Sequence, residues 1–161
     1  MKLSIIIPMY NEQESLDALF MELSGLFSQE AKTEIIFIND GSSDDTLSIL
    51  ESKIKNYPSW KVINLYRNYG KSVALQAGFD NSKGEIIATM DADLQDNPKE
   101  IYNLIKELEK GYDVVSGWKK NRKDPLEKKI ASKIFNFFVR VFSGLKIHDS
   151  NCGIKVFKRE V

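Results

Sequence analysis

The sequence of 161 residues holds one cysteine, Cys152, and one histidine, His148. An intrachain disulfide is therefore excluded, and a reducing compartment is the simplest setting. No run of about 18 apolar residues occurs, so no segment is expected to cross a membrane as a helix. The apolar stretch in MKLSIIIPMYNE is too short for a secretory signal and is broken by Pro8. G-x-G-x-x-G and G-x-x-x-x-G-K-[ST] are both missing, which removes support for a dinucleotide turn or a P-loop. Internal repeats and low-complexity segments are missing too, and no nucleic-acid partner is expected.

What is present fits one domain with a real core: 42% hydrophobic and 29% charged residues. The formal charge is zero but unevenly spread. Residues 1–117 carry 11 Lys/Arg against 19 Asp/Glu, and residues 118–161 carry 12 against 4. An acidic body followed by a basic segment suggests two surfaces with different partners.

Apolar runs at 3–8, 33–40, 61–66, 84–93 and 112–118 predict strands, and 153–158 predicts a last one. Between them, helical spacing predicts helices over 12–27, 70–82 and 97–111, the last with Asn97 as cap, Pro98 in the first turn and Gly111 as stop, and a turn followed by an N-capped helix over 41–54. This alternation predicts an α/β domain with a mostly parallel sheet and helices on both faces. In such sheets ligands lie at the carboxyl ends of the strands. Three of those ends are chemically loaded: PMYNE, INDGSSDD and MDADLQD.

The stretch ATMDADLQDNPKE ends an apolar strand in Asp91, Asp93, Gln95 and Asp96. Adjacent carboxylates repel and are costly to desolvate, so something positive is expected among them. Hard oxygen donors suit Mg²⁺ or Mn²⁺, which commonly keep waters and take further ligands from a diphosphate. No His or Cys lies in the cluster, which disfavours zinc. A solvated turn capped by acids is the plain alternative. Asp40, at the end of the second strand, can accept from a base or ribose hydroxyl, or simply shape the turn. Lys71 stands at a helix start, where the dipole disfavours a cation; a nearby anion would explain it, and so would plain solvation.

SIIIPMYNEQESL, IIFINDGSSDDT, NYGKSVALQAGF and IIATMDADLQDNP together resemble the family 2, GT-A-type glycosyltransferases, in particular the dolichol-phosphate mannosyltransferase and bacterial polyprenyl-phosphate glycosyltransferase enzymes. SNCGIKVFKREV resembles the segment that closes the family's donor site. The resemblance implies a GT-A (Rossmann-like) single domain over 1–161: a nucleotide-sugar and metal-binding core at 1–118 and a basic acceptor-side region at 119–161. It implies an inverting, metal-dependent hexosyltransferase acting on a UDP- or GDP-linked sugar, with polyprenyl phosphate as acceptor. Pro8, Tyr10, Asn11, Glu12, Asp40, Lys71, Asp91 and Asp93 are then the donor-binding residues. Asp91, Asp93 and Gln95 handle Mg²⁺ or Mn²⁺, Asp93 and Asp149 are catalytic, and Lys120 and Arg122 meet the acceptor phosphate. GWKKNRKDP departs from the commoner G-S-R-x-x-R form, which leaves the division of labour among Lys119, Lys120, Arg122 and Lys123 open.

Two rivals remain open: transfer to a sugar hydroxyl in a surface polysaccharide, and a nucleotide-sugar-binding module without turnover. The second follows from an expectation that the chain is truncated, because family members usually continue beyond this point. The stripe Ile130, Ile134, Phe137, Phe138, Val141, Phe142 and Leu145 fits either a core helix or one lying in a membrane interface. The expected location is cytoplasmic, peripheral at the cytoplasmic face of a membrane. Oligomeric state is not legible.

Overall fold

The β-branched strings LSIIIPM, TEIIFIN and IIAT form the centre of the sheet. The computed structural model describes residues 2–118 and 152–161. In chain order the elements are β1 (Leu3–Met9), α1 (Leu16–Phe27), β2 (Thr33–Asn39), α2 (Thr46–Lys53) with a following 3₁₀ turn (Ile54–Asn56), β3 (Trp60–Asn64), α3 (Lys71–Asn81), β4 (Ile86–Thr89), α4 (Glu100–Leu108), β5 (Val114–Ser116) and β6 (Lys155–Lys158). The six strands lie in the order β3-β2-β1-β4-β6-β5. β3, β2, β1 and β4 run parallel, and β6 is antiparallel to both of its neighbours. The expected mostly parallel α/β sheet is thus present, with one reversed strand that periodicity does not reveal.

Alternation along the strands divides the core. Ile5, Ile7, Ile35, Phe37 and Ala88 face α1, α2 and α4, while Ile6, Ile36, Ile38 and Ile87 face α3. The first layer is thick and aromatic: Phe20 stacks on Phe37 at 5.0 Å and Tyr57 on Trp60 at 4.1 Å. The second is thin. A β-carbon on Gly78 of α3 would overlap Ile6 Cγ2 and come within 3.0 Å of Ile38 Cδ1, so α3 lies directly on the sheet. That close approach carries Lys71, at the helix start, to the ends of the central strands.

Several expected elements are shorter than the pattern predicts, two of them at the functional edge. The helix expected from residue 12 starts at Leu16, because Asn11 takes φ 55° and Glu12–Ser15 form a turn. The strand expected over 84–93 ends at Thr89, after which Leu94 takes φ 59° and the acid-rich stretch turns away from the sheet. α4 begins at Glu100, and the Asn97 side chain accepts from the Lys99 N–H, the bond expected of a cap, with Pro98 and Lys99 forming the turn that leads into the helix.

At the opposite edge a polar knot closes the sheet. The buried Ser4 hydroxyl donates to Glu34 Oε1 at 2.6 Å and accepts from the Gly84 N–H at 2.7 Å. Glu34 also accepts from the Lys83 N–H and from Lys61 Nζ. Burial alone would raise the Glu34 carboxyl; the Ser4 and Lys83 hydrogen bonds and the Lys61 charge outweigh it and hold the group below its ordinary value. A lowered carboxylate contributes stability above its unfolded-state value, 4.5, and loses it as pH falls through the lower folded-state value. Glu34→Gln is therefore expected to cost about 1–2 kcal/mol at pH 7. Urea denaturation from pH 7 to pH 3 should show the gap to wild type closing below the ordinary carboxylate value.

Candidate active site

The carboxyl ends of β1, β2 and β4 and the loop entering α3 enclose a cleft of about 310 Å³. It lies where chain order reverses: from β1 the chain proceeds to β2 and β3 on one side and returns to β4 on the other. Of the residues expected at a donor site, Pro8, Tyr10, Glu12, Asp40, Lys71, Asp91 and Asp93 all line it. Asn11 and Gln95 do not. The Asn11 side chain instead accepts from the Ser43 N–H at 2.8 Å, and Gln95 lines a separate cleft beside Met21 and Leu26. Asp149, Lys120 and Arg122, like Lys119, Lys123, His148 and the 130–145 stripe, lie outside the described residues.

Two of the loaded strand ends are sewn together. The Glu12 N–H donates to Thr46 Oγ1, the Gln13 N–H to Asp44 Oδ2, and the Asp45 N–H to Gln13 Oε1. Burial would raise the Asp44 carboxyl; hydrogen bonds from Thr46 and Gln13 hold it below its ordinary value. PMYNEQ and GSSDDT therefore form one double loop, which explains why the helical pattern is not obeyed at residue 12.

Asp40 is buried and spans a third element. Its Oδ1 accepts from the Tyr69 N–H and its Oδ2 from the Gly70 N–H, both at 2.9 Å. Gly70 takes φ 91°, which a residue with a β-carbon rarely adopts, and this turn aims Lys71 into the cleft. Each carboxylate oxygen has a second lone pair, so the same group can shape this loop and still accept from a ligand hydroxyl.

Asp91 and Asp93 sit on the turn after β4. Asp93 Oδ1 accepts from the Gln95 N–H at 3.1 Å, which bends the chain back. Asp91 Oδ1 pairs with Lys71 Nζ. The positive group expected among the acids is thus already supplied by the chain. Asp91 Oδ2 faces Gly153, where an added β-carbon would lie 2.6 Å from it and 2.8 Å from Asp96 Oδ2. β6 makes this possible. Being antiparallel, it begins where β4 ends, and it brings Gly153 under the Asp91 turn, with Thr89 Oγ1 donating to the Gly153 carbonyl at 3.2 Å.

Sequence reasoning missed Gly153, and Asn68 at the cleft wall. The glycine inside SNCGIKVF is visible in the sequence, but its neighbour is set by a strand reversal that no local pattern encodes.

Among the described residues no three His, Cys, Asp or Glu side chains converge into a metal cage. The donor set nevertheless fits Mg²⁺ or Mn²⁺. Asp91 and Asp93 offer hard oxygens on one wall of an open cleft, and such ions fill their remaining positions with water and substrate phosphates.

The sequence profile of glycosyl transferase family 2 matches residues 4–161. The chain belongs to glycosyl transferase family 2. This family 2 chain is 36% identical over 165 residues to a dodecaprenyl-phosphate galacturonate synthase from Rhizobium johnstonii, covering 100% of the chain and 49% of that protein. It is 39% identical over 162 residues to an undecaprenyl-phosphate 4-deoxy-4-formamido-L-arabinose transferase from Serratia proteamaculans, covering 99% and 50%. It spans about half the length of these curated relatives. A mannosyltransferase from Pyrobaculum calidifontis, solved with GDP-Man and Mn²⁺, superposes with TM-score 0.72 at 21% identity over 99% of this chain and 45% of that one, which establishes the shared GT-A fold.

The Gly153 contact generates a test. Gly153→Ala is expected to destabilise by about 1–3 kcal/mol through overpacking. At roughly 2–4 °C per kcal/mol this should appear as a lowered melting midpoint. An unchanged midpoint would show that the Asp91 turn yields freely.

Proposed function

We propose that this chain carries the donor-binding core and an acceptor-side region of an inverting glycosyltransferase that moves a sugar from a UDP- or GDP-linked donor to a polyprenyl phosphate. The observation that carries the reading is the convergence of Glu12, Asp40, Lys71, Asp91 and Asp93 in one cleft at the switch point of the sheet. The named relatives add support: one is a dodecaprenyl-phosphate and the other an undecaprenyl-phosphate transferase. In this reading residues 1–118 bind donor and metal, and 119–161 serve the acceptor side.

Asp40 and the Pro8–Glu12 loop hold the nucleoside, while Tyr10, 45% exposed, covers it at the rim. Lys71 meets the diphosphate. Asp91 and Asp93 hold a Mg²⁺ or Mn²⁺, with Gln95 outside the cleft wall as it stands. When bound, that ion stabilises the charge growing on the leaving nucleoside diphosphate. A cleft lined by Glu12, Asp40, Asp91 and Asp93 repels a diphosphate, which is why cation and donor should bind together.

A phosphate acceptor is already ionised near neutrality, its second pKa being roughly 6, so it attacks without a dedicated base. Asp149 then orients the acceptor instead of deprotonating it, and Lys120 and Arg122 hold its phosphate. Supporting this, the segment that carries them leaves the described fold at Trp118 and returns at Cys152. The Gly117 N–H donates to the Ile154 carbonyl at 2.9 Å, so both ends lie by the carboxyl end of β4. Among the described residues no helix is long and apolar enough to cross a membrane. Peripheral seating at the cytoplasmic face of a membrane, through the basic segment, fits a lipid-linked acceptor.

A thermal-shift series with GDP and UDP, with and without Mn²⁺, tests the donor reading. A ligand at about 100 times its Kd should add roughly 2.7 kcal/mol. Asp93→Ala should keep the wild-type melting midpoint without ligand and lose the Mn²⁺-dependent increment; an undiminished increment would remove Asp93 from the metal site. For the acceptor side, co-sedimentation with anionic vesicles at low salt should fall when Lys119, Lys120, Arg122 and Lys123 are changed together to Gln. Equal binding by both proteins would detach this segment from lipid.

A further inference from the structure

We propose that Lys71 is the resident counter-ion of Asp91 in the empty cleft and passes to the donor diphosphate when a divalent cation takes Asp91. The inference rests on the donor and metal reading above, and it assigns Lys71 two successive partners within that site.

Asp91 lines the cleft, and its Oδ2 lies on the side of Gly153, where an added β-carbon would come within 2.6 Å of it. Oδ1 is the atom that Lys71 Nζ now holds. An ammonium and a metal ion therefore compete for the same carboxylate. The Lys71 side chain is 56% exposed and that of Asp91 29%, so the pair is screened by water and readily parted.

Lys71 has reason to leave and somewhere to go. It is the first residue of the 11-residue helix α3, where the dipole opposes a positive side chain, and at present the Asp91 carboxylate offsets that. A cation bound at Asp91 would remove this compensation and repel the ammonium. Among the described residues that line the cleft Lys71 is the single cation, against Glu12, Asp40, Asp91 and Asp93. The diphosphate is the anion that loading adds to the cleft, and the ammonium can pass to it. The exchange leaves each anion it touches with a cation in both states: ammonium on Asp91 when empty, metal on Asp91 and ammonium on diphosphate when full. Each Lys71 position blocks the wrong intermediate, a bare carboxylate facing an incoming diphosphate.

The proposal predicts opposite signs for one variant. Lys71→Met should bind Mn²⁺ without nucleotide about 3–10-fold more tightly, because a competing cation is gone. At saturating Mn²⁺ the same variant should bind GDP or UDP about tenfold more weakly, because a charge-assisted contact is gone. Lys71→Arg should stay near wild type in both. Electron paramagnetic resonance of free Mn²⁺ gives the first affinity and calorimetry the second, with circular dichroism melts confirming that each variant is folded. Unchanged or weaker Mn²⁺ binding by folded Lys71→Met, with wild type binding normally, would overturn the exchange and leave the donor reading standing. Movement of both affinities in the same direction would overturn it too. Failure of wild type to bind Mn²⁺ at all would overturn the metal reading and the exchange with it.

Discussion

Mutual repulsion of the carboxylates at the ends of β1, β2 and β4 is the constraint on which the rest of this structure depends. Glu12, Asp40, Asp91 and Asp93 share one small cleft, and left alone such a group would push its strand ends apart or take up protons. Each acid is instead given a different partner. Asp40 is quenched by two backbone N–H groups, Asp91 by an ammonium, and Asp93 by the N–H of its own turn. Glu12 accepts from the Ser15 hydroxyl. The loops of the site owe their shapes to these pairings.

The scaffold makes such pairing affordable by being stiff. Five successive residues of β2, Ile35 to Asn39, are buried, and β1 is almost wholly enclosed between helices on its two faces. Parallel strands packed on both sides have no freedom to splay, so repulsion at their ends is met by a rigid frame. The thin layer under α3 matters here. With a larger residue than Gly78 the helix would stand further from the sheet, and Lys71 would stand further from Asp91.

Much of this was legible in the sequence, for reasons that can be named. The apolar runs are long enough to mark buried strands, and the three polar clusters that end them announce a shared edge. What escaped was either a long-range contact or a local rule overridden by one. The helix expected from residue 12 yields to bonds with residues 42–46, some thirty positions on. Asn11 reads as a ligand residue from its motif; its Oδ1 accepts from the Ser43 N–H, a contact no local pattern announces. Lys71 could be flagged as ill-placed at a helix start, but its partner Asp91 is twenty residues away and joined to it only through the sheet order. The reversal of β6, and with it the role of Gly153, lies beyond any periodicity.

That reversal has a consequence for how such a domain can diversify. Because the Gly117 N–H is bonded to the Ile154 carbonyl, the chain between them starts and finishes at one point on the sheet. Loop-closure entropy rises slowly with length, about 0.6 kcal/mol for each doubling. Segments of different size or composition can therefore be spliced between Trp118 and Cys152 with little penalty to the frame that holds the carboxylates.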